Sequence, residues 1–316
     1  MMKPRFLTGR PLIAFIVIAS AMWTTYAFAN ASELSAELQS SLQARGSDSA
    51  QKALAEATER AVKAGASDEM ARSLVDHIDA QALPMATVAA WLENTARLGE
   101  EGLPLNTVLS FYVQGVAKGY PPDRIEPVVA MVERRLREAA ALVDAMGPTS
   151  QVETRRKVID DVAWVLGLEG VSKDDVSRPI TLAREEDRPM DALHSPVLTF
   201  GTLVASGLPT ETSFDVVSAA WTKGYRGEPL ERLGSALANA NPTGGAPPQH
   251  LVNEVMQLLD RESSQDRFFQ GLDELMGREG YRMPSIGIGE DPLHRDPGRG
   301  IKDPIRSDND KPSPGQ

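Results

Sequence analysis

Apolar residues recur along the chain at the spacing of one face of an α-helix. Between residues 104 and 118 they are Leu105, Val108, Leu109, Tyr112 and Val116. These positions follow the i, i+3, i+4, i+7 and i+11 order that brings side chains to one helical face. No comparable alternation of β-branched residues, which would indicate strands, follows the N-terminal segment. The pattern therefore predicts an all-α fold.

A longer stripe occupies the next segment, residues 125–143. Its apolar members are Ile125, Val128, Val129, Val132, Leu136, Ala139 and Val143. The charged residues on the opposite face are Glu133, Arg134, Arg137 and Glu138. This division of faces predicts one long amphipathic helix with the charged residues exposed.

Proline and glycine mark the ends of the predicted helices. Pro84 and Pro104 are expected at the first helical position, where a missing N–H group has no consequence. Gly99 and Gly119 are expected just past the last turn, where glycine adopts a left-handed conformation without strain. The helices are predicted near 33–44, 48–64, 67–81, 84–98, 104–118, 122–145, 150–166, 172–186, 189–206, 209–223, 227–239, 248–262 and 264–276. Short connections predict that consecutive helices lie side by side and antiparallel.

The sequence resembles itself at a shift of 105 residues. Positions 64–132 align with 169–237 without a gap, and thirteen of the 69 pairs are identical. Chance would give about five identities at ordinary residue frequencies. We interpret the similarity as an internal duplication of about 105 residues. It predicts a tandem array of short antiparallel helices, either α-solenoid-like or two helical bundles.

The predicted organisation has six parts. They are a signal peptide at 1–29, a leading helical segment at 30–47, the first copy at 48–147, the second copy at 148–240, a C-terminal helical pair at 241–283 and a disordered tail at 284–316. The tail is rich in Pro, Gly and mixed charge, a composition that cannot bury a core.

The N-terminal segment has the order of a secretory signal peptide. Lys3, Arg5 and Arg10 precede an apolar run, and Ala27 and Ala29 form an A-x-A cleavage site. The run is short against the roughly 20 residues of a membrane-spanning helix, so no stable membrane insertion is expected after cleavage. An uncleaved anchor is the alternative. The chain is predicted to be exported, to the periplasm or the medium.

The charge of the chain bears on its partners. The formal net charge is −11, and removing the three signal-peptide cations makes it −14. Such an acidic protein is not expected to bind nucleic acid, which requires a basic surface. The sequence contains no cysteine, so the exported chain must be stabilised by burial without disulfides.

The repeated tripeptide KGY supplies the first candidates for an interaction site. They are Lys118 with Tyr120 and Lys223 with Tyr225. A cation beside an aromatic ring is suited to line a groove for a peptide or a glycan. The alternative is local, because Lys favours the C-terminal end of a helix, Gly ends it, and Tyr covers its last turn.

Pro196 supplies the other candidate region. It falls inside the helix predicted to begin at Pro189 and therefore predicts a break near the sequence HSPV. His194 and Ser195 lie beside this break, and they are polar residues at positions that do not follow the helical spacing. No spacing typical of zinc, calcium or phosphate sites occurs, so no catalytic residue, cofactor or metal ligand is predicted.

Three functions are compatible with these features. The favoured one is a non-enzymatic helical-repeat protein that binds another envelope or extracellular component, a protein, in a groove between its copies. The first alternative is a cell-wall or polysaccharide hydrolase that uses a carboxylate pair or the His194 region, which requires a deep pocket. The second is a structural spacer, which requires scattered surface charges and no exposed apolar patch.

Overall fold

The computed structural model describes residues 48–80, 83–147, 151–186, 188–240 and 246–278, and within these ranges the chain is helical without a strand. The all-α prediction is confirmed. The α-helices are α1 (Asp48–Lys63), α2 (Asp68–Ala80), α3 (Met85–Glu100), α4 (Leu105–Ala117), α5 (Pro122–Asp144), α6 (Val152–Leu166), α7 (Lys173–Glu185), α8 (His194–Ala205), α9 (Thr210–Thr222), α10 (Glu228–Ala238), α11 (Gln249–Arg261) and α12 (Gln265–Arg278). A 3₁₀ turn, Met190–Leu193, precedes α8. The predicted signal peptide, leading segment and C-terminal tail lie outside the described residues.

The chain divides into two compact units, Met1–Val129 and Ala130–Gln316. This division falls inside α5, whereas the predicted copies meet at residues 147 and 148. In the first unit α1 packs on α3 and α2 packs on α4. In the second unit α8 contacts both α6 and α10, while α9 contacts α7 and α11. Consecutive helices such as α3 and α4 also touch, but the most extensive contacts join every second helix.

The apolar stripe of α4 forms part of the core, as predicted. Its members Leu105, Val108, Leu109, Tyr112 and Val116 are all buried. On α5 the prediction fails at one position, because Glu133 is 9% exposed. Its carboxylate accepts a hydrogen bond of 3.3 Å from Nη1 of Arg137, one turn later. The pairing explains how a charged residue lies against the core.

Pro84 and Pro104 were predicted to be the first helical residues, but the helices begin one residue later, at Met85 and Leu105. Pro84 and Pro104 are the N-cap residues of α3 and α4, with ψ angles of 130° and 84° that lie outside the helical range. They stand outside the helix instead of forming its first turn. The physical advantage is the same, because an N-cap residue also contributes no N–H group to the helical ladder.

Gly99 does not end α3, and its predicted role is wrong. The residue in the left-handed conformation is Gly102, with φ 72°, whose N–H donates to the Gly99 carbonyl. Gly99 instead lies inside α3, at a point where Leu105 and Ala64 come close to its Cα atom. A Cβ atom there would stand 2.4 Å from Cδ2 of Leu105 and 2.8 Å from Cβ of Ala64. Gly119 has φ 74° and ends α4 as predicted.

Local structure repeats at the shift of 105 residues. Helices α2 and α4 begin at residues 68 and 105, and α7 and α9 begin at 173 and 210. Left-handed glycines recur in the same register, as the pair Gly119 and Gly224 illustrates. The duplication of the sequence itself stays a prediction. None of the helices in the described ranges is long and apolar enough to cross a membrane.

Candidate functional site

The break predicted near HSPV is present at the start of α8. The 3₁₀ turn Met190–Leu193 ends where α8 begins, at His194. Pro196 is therefore the third residue of α8, in the first turn, where backbone N–H groups have no partner within the helix. The proline is accommodated there without a kink inside the helix, and His194 stands at the junction of the two elements.

His194 joins three helices through its imidazole ring. Nδ1 lies 2.5 Å from Oδ2 of Asp161 on α6, and Nε2 lies 3.8 Å from Oε1 of Glu231 on α10. An ionised carboxylate only accepts hydrogen bonds, so Nδ1 carries the proton that it donates to Asp161. The side chains of His194 and Asp161 are 19% and 11% exposed. The contact is thus largely shielded from solvent.

An Asp–His pair of this kind can orient a general base when a hydroxyl nucleophile lies beyond Nε2. The hydroxyl of the neighbouring Ser195 has another partner. Its Oγ accepts a hydrogen bond of 3.1 Å from the N–H of Gly227, and the residue is 4% exposed. Ser195 therefore holds the loop that precedes α10. The structure joins His194 and Ser195 to different partners.

The first unit contains a contact that corresponds, 105 residues earlier in the chain, to the one between His194 and Glu231. Glu126 stands 105 residues before Glu231, and its Oε1 accepts a hydrogen bond of 3.2 Å from the indole Nε1 of Trp91 on α3. Trp91 stacks on Tyr112 with 4.7 Å between ring centroids. Pro196 occupies the position that corresponds to Trp91, two residues after His194. Each predicted copy therefore has a carboxylate at this position that contacts a side chain of the copy's third helix. The pair is Glu126 with Trp91 in the first copy and Glu231 with His194 in the second.

A second polar cluster holds the loop before α10. Nη2 of Arg226 donates to both carboxylate oxygens of Glu186, at 3.1 and 2.9 Å, and its Cζ lies 3.6 Å from the ring centroid of Trp221. Nε of Arg188 donates to the same carboxylate. Burial acts to raise the pKa of Glu186, but the bonds from the two arginines outweigh it and lower that pKa. The cluster fixes the loop to the end of α7.

The two KGY tripeptides form helix ends. Lys118 and Lys223 are the C-cap residues of α4 and α9, and each following glycine is left-handed. Both lysines are exposed, and Nζ of Lys223 donates to the carbonyl of Asp260 at the end of α11. These placements agree with the interpretation that the motif serves to end a helix. They leave Lys118 and Lys223 at the surface, one in each unit.

The tyrosines of the two tripeptides differ in environment. Tyr120 is half-buried. Tyr225 is 2% exposed, and its ring meets those of Phe268 and Phe269 edge-on at centroid distances of 5.1 and 6.0 Å. Burial, with a smaller contribution from Glu262, raises the pKa of Tyr225. Its ring belongs to the core, so it has no surface to offer a partner.

An open groove of about 590 Å³ lies between α10 and α12 in the second unit. Its lining residues are Arg232, Asp266, Phe269, Gln270, Asp273 and Glu274. Cζ of Arg232 lies 4.5 Å from the ring centroid of Phe269, and its Nη2 lies 3.1 Å from each carboxylate oxygen of Asp273. We call this surface the α10–α12 groove. The sequence prediction missed it because Arg232 of α10 meets the lining residues of α12 only in the folded chain.

The parts of the chain that the structure describes contain no group of three His, Asp or Glu residues arranged for a metal ion. The comparisons with known proteins add no functional information. No protein-family model, no curated protein and no solved structure matches the chain at a significant level.

Proposed function

We propose that this chain is exported and binds another protein of the cell envelope without catalysing a reaction. The observation that carries the proposal is the α10–α12 groove. An arginine held over an aromatic ring is a typical component of protein interfaces, where Arg and aromatic residues are enriched. The groove is open, unlike the enclosed pockets that bury most of a small ligand. The signal-peptide pattern at the N-terminus is the basis for export.

The chemistry of such binding is polar. Among the described residues, Val152 is the large apolar side chain that is exposed, and it stands alone at the start of α6. A partner would therefore gain affinity from charges and hydrogen bonds around Phe269 instead of from a broad apolar patch. The same scarcity of exposed apolar groups is what the structural spacer hypothesis requires, so partner binding is the property that separates the two.

The hydrolase hypothesis has one observation in its favour, the hydrogen bond between His194 and Asp161. Two observations count against it. Nε2 of His194 faces Glu231, and the α10–α12 groove is lined by other residues. The related contact between Trp91 and Glu126 favours a structural role for the carboxylate at this position.

The proposal is tested by capturing partners from an envelope fraction with the chain that begins at Asn30. A groove variant, Asp266→Lys with Glu274→Lys, reverses two charges while leaving the contacts of Arg232 in place. Glu185→Lys is the matched control, because Glu185 is exposed on α7 and does not line the groove. Mild crosslinking before capture retains weak complexes.

The decisive measurement is a titration with the purified captured protein. We expect saturable binding by the unaltered chain and by the Glu185→Lys control, and binding about tenfold weaker by the groove variant. Recovery of no specific protein would contradict the proposed function. Equal affinity of the groove variant would show that the partner binds elsewhere.

A further inference from the structure

Arg135 on α5 is a half-buried cation that no carboxylate of the described ranges neutralises through an ion pair. Its Nη1 lies so close to the end of α6 that a Cβ atom at Gly167 would stand 2.9 Å from it. Burial lowers the pKa of Arg135, the neighbouring charge of Arg134 lowers it further, and the attraction of Glu138 has a smaller effect. The charged guanidinium is therefore less stable here than in water, and it would gain from a stronger hydrogen-bond acceptor.

The acceptor that Arg135 contacts is a sulfur atom. Nη2 lies 3.6 Å from Sδ of Met131, one turn earlier on α5. A thioether accepts hydrogen bonds only weakly. Arg226 and Arg232 of the same unit, in contrast, each donate to both oxygens of a carboxylate. Met131 thus occupies the place at which those two arginines have a strong acceptor.

Met131 is also a side chain that an oxidant can modify. It is half-buried, whereas Met190 and Met276 are buried in the core. The sequence contains no cysteine, so the sulfur that an oxidant converts in this chain belongs to methionine. With hydrogen peroxide, the sulfur lone pair attacks one peroxide oxygen, the O–O bond breaks and an S–O bond forms. Sulfur loses two electrons to the peroxide, and the departing hydroxide takes the proton from the transferred oxygen and leaves as water.

We infer that Met131 is a reversible oxidation site whose sulfoxide oxygen accepts a hydrogen bond from Arg135. The oxygen is bonded to the atom that already contacts Nη2, so rotation of the end of the side chain directs it to the guanidinium. Hydrogen bonds to a charged group are about twice as strong as neutral ones. Methionine oxidation usually destabilises a fold, because it adds a polar group to an apolar environment. At Met131 it stabilises the second unit.

Oxidation of Met131 is measured on the full-length chain after treatment with dilute hydrogen peroxide, by mass spectrometry of its peptides. Met256 on α11 is the matched control, because it is also half-buried and, within the described ranges, forms no hydrogen bond with an arginine. Both sulfur atoms are expected to gain one oxygen. Methionine sulfoxide reductases are expected to remove it, since sulfoxide formation is reversible.

Urea denaturation before and after oxidation gives the effect on stability. Subtracting the change in Met131→Leu from the change in the unaltered chain isolates Met131, because the other methionines are oxidised in both chains. We expect oxidation of Met131 to raise the folding equilibrium constant about threefold to tenfold. The same subtraction with Met256→Leu should give a decrease. In an Arg135→Gln background the gain from Met131 should be absent.

Glutamine tests the same contact without an oxidant. Met131→Gln supplies a permanent amide oxygen close to the place of the sulfoxide oxygen, and it is expected to raise the urea midpoint. Met256→Gln is expected to lower the midpoint, because its amide has no guanidinium to accept from. Unchanged circular dichroism shows that both variants remain folded.

Three results would overturn the inference. The first is that Met131 stays reduced under peroxide that oxidises Met256. The second is that oxidation of Met131 lowers the folding equilibrium constant or leaves it unchanged. The third is a gain in stability that persists in Arg135→Gln. None of these results depends on export or on an envelope partner, so failure of this inference and failure of the proposed function are distinguishable.

Discussion

Nδ1 of His194 and Oδ2 of Asp161 lie 2.5 Å apart, although 33 residues separate them in the sequence. The contact joins the first residue of α8 to α6 near the core, where both side chains are largely shielded from solvent. Hydrogen bonds to a charged group are stronger than neutral ones, and leaving such a buried group unpaired is costly. The pair therefore contributes to the stability of the second unit.

Asp161→Asn should destabilise the protein. The amide removes the charge that strengthens the bond, and we expect the free energy of unfolding to fall by about 1.5–3 kcal/mol. Urea denaturation followed by circular dichroism measures the loss. Glu231→Gln is the control, since its carboxylate is 3.8 Å from Nε2 and about a third exposed. The control should lose less than about 1 kcal/mol.

A double-mutant cycle isolates the bond itself. Combining Asp161→Asn with His194→Asn should give a coupling free energy of about 1–3 kcal/mol, as expected for residues in direct contact. Strictly additive losses would mean that the two side chains stabilise the fold independently. In that case the short contact would carry no specific interaction.

Two glycines allow a matched test of helix packing. A Cβ at Gly201 on α8 would lie 2.4 Å from Cζ3 of Trp164 and 2.5 Å from Cγ2 of Val165, both on α6. Gly201→Ala should therefore destabilise by about 1–3 kcal/mol through overpacking. Gly277→Ala should stabilise by up to about 1 kcal/mol, because no packing neighbour from the described ranges lies within 4 Å of the point that a Cβ would occupy, and alanine favours the helix. Thermal unfolding measures both; destabilisation by both substitutions would refute the packing argument.

Much of the fold could be predicted because the residues that determine a helix and its ends lie close together in the sequence. The apolar spacing of α4 identified its buried face, and Gly119 identified its end. Gly99 was misassigned because it and Gly102 lie three residues apart, and each is compatible with the end of a helix. The choice depends on Ala64 and Leu105, which approach Gly99 only in the folded chain.

The candidate site was less predictable for a related reason. The break at HSPV followed from Pro196, but the partners of His194 did not. Asp161 and Glu231 lie on different helices, and helical periodicity does not specify which helices pack together. The contact between Arg232 and Asp273 spans 41 residues and depends on the packing of α10 and α12. Tyr225, predicted as a surface candidate, is buried for the same kind of reason, because α12 covers it.

Burial of Tyr225 predicts a loss of stability at high pH. Its pKa is raised on folding, so the folded state retains the phenolic proton at a pH where the unfolded state has lost it. The stabilisation is complete below the unfolded pKa of about 10 and is lost as pH rises through the folded pKa. The slope contributed by this group is at most about 1.4 kcal/mol per pH unit.

Tyr225→Phe should remove that contribution. In urea between about pH 9 and pH 11.5, the unfolding free energy of the unaltered chain should fall relative to that of the variant as the pH rises above about 10. Tyr120→Phe is the matched control, since Tyr120 follows the corresponding glycine but is half-buried. Parallel curves for Tyr225→Phe and the unaltered chain would show that the phenol ionises equally in both states.

Arg226 and Arg188 both donate to Glu186, yet their contributions should differ. Arg226 contacts both carboxylate oxygens, donates to the carbonyl of Tyr225 at 3.0 Å, and covers the ring of Trp221. A lysine ammonium cannot reproduce this fork or the stacking, so Arg226→Lys should cost about 1.5–3 kcal/mol in urea denaturation. Arg188→Lys should cost less than about 1 kcal/mol, because its side chain is 48% exposed and makes a single contact with the carboxylate. Equal losses would mean that charge on Glu186 matters and geometry does not, and the loop before α10 would then be held by electrostatic attraction alone.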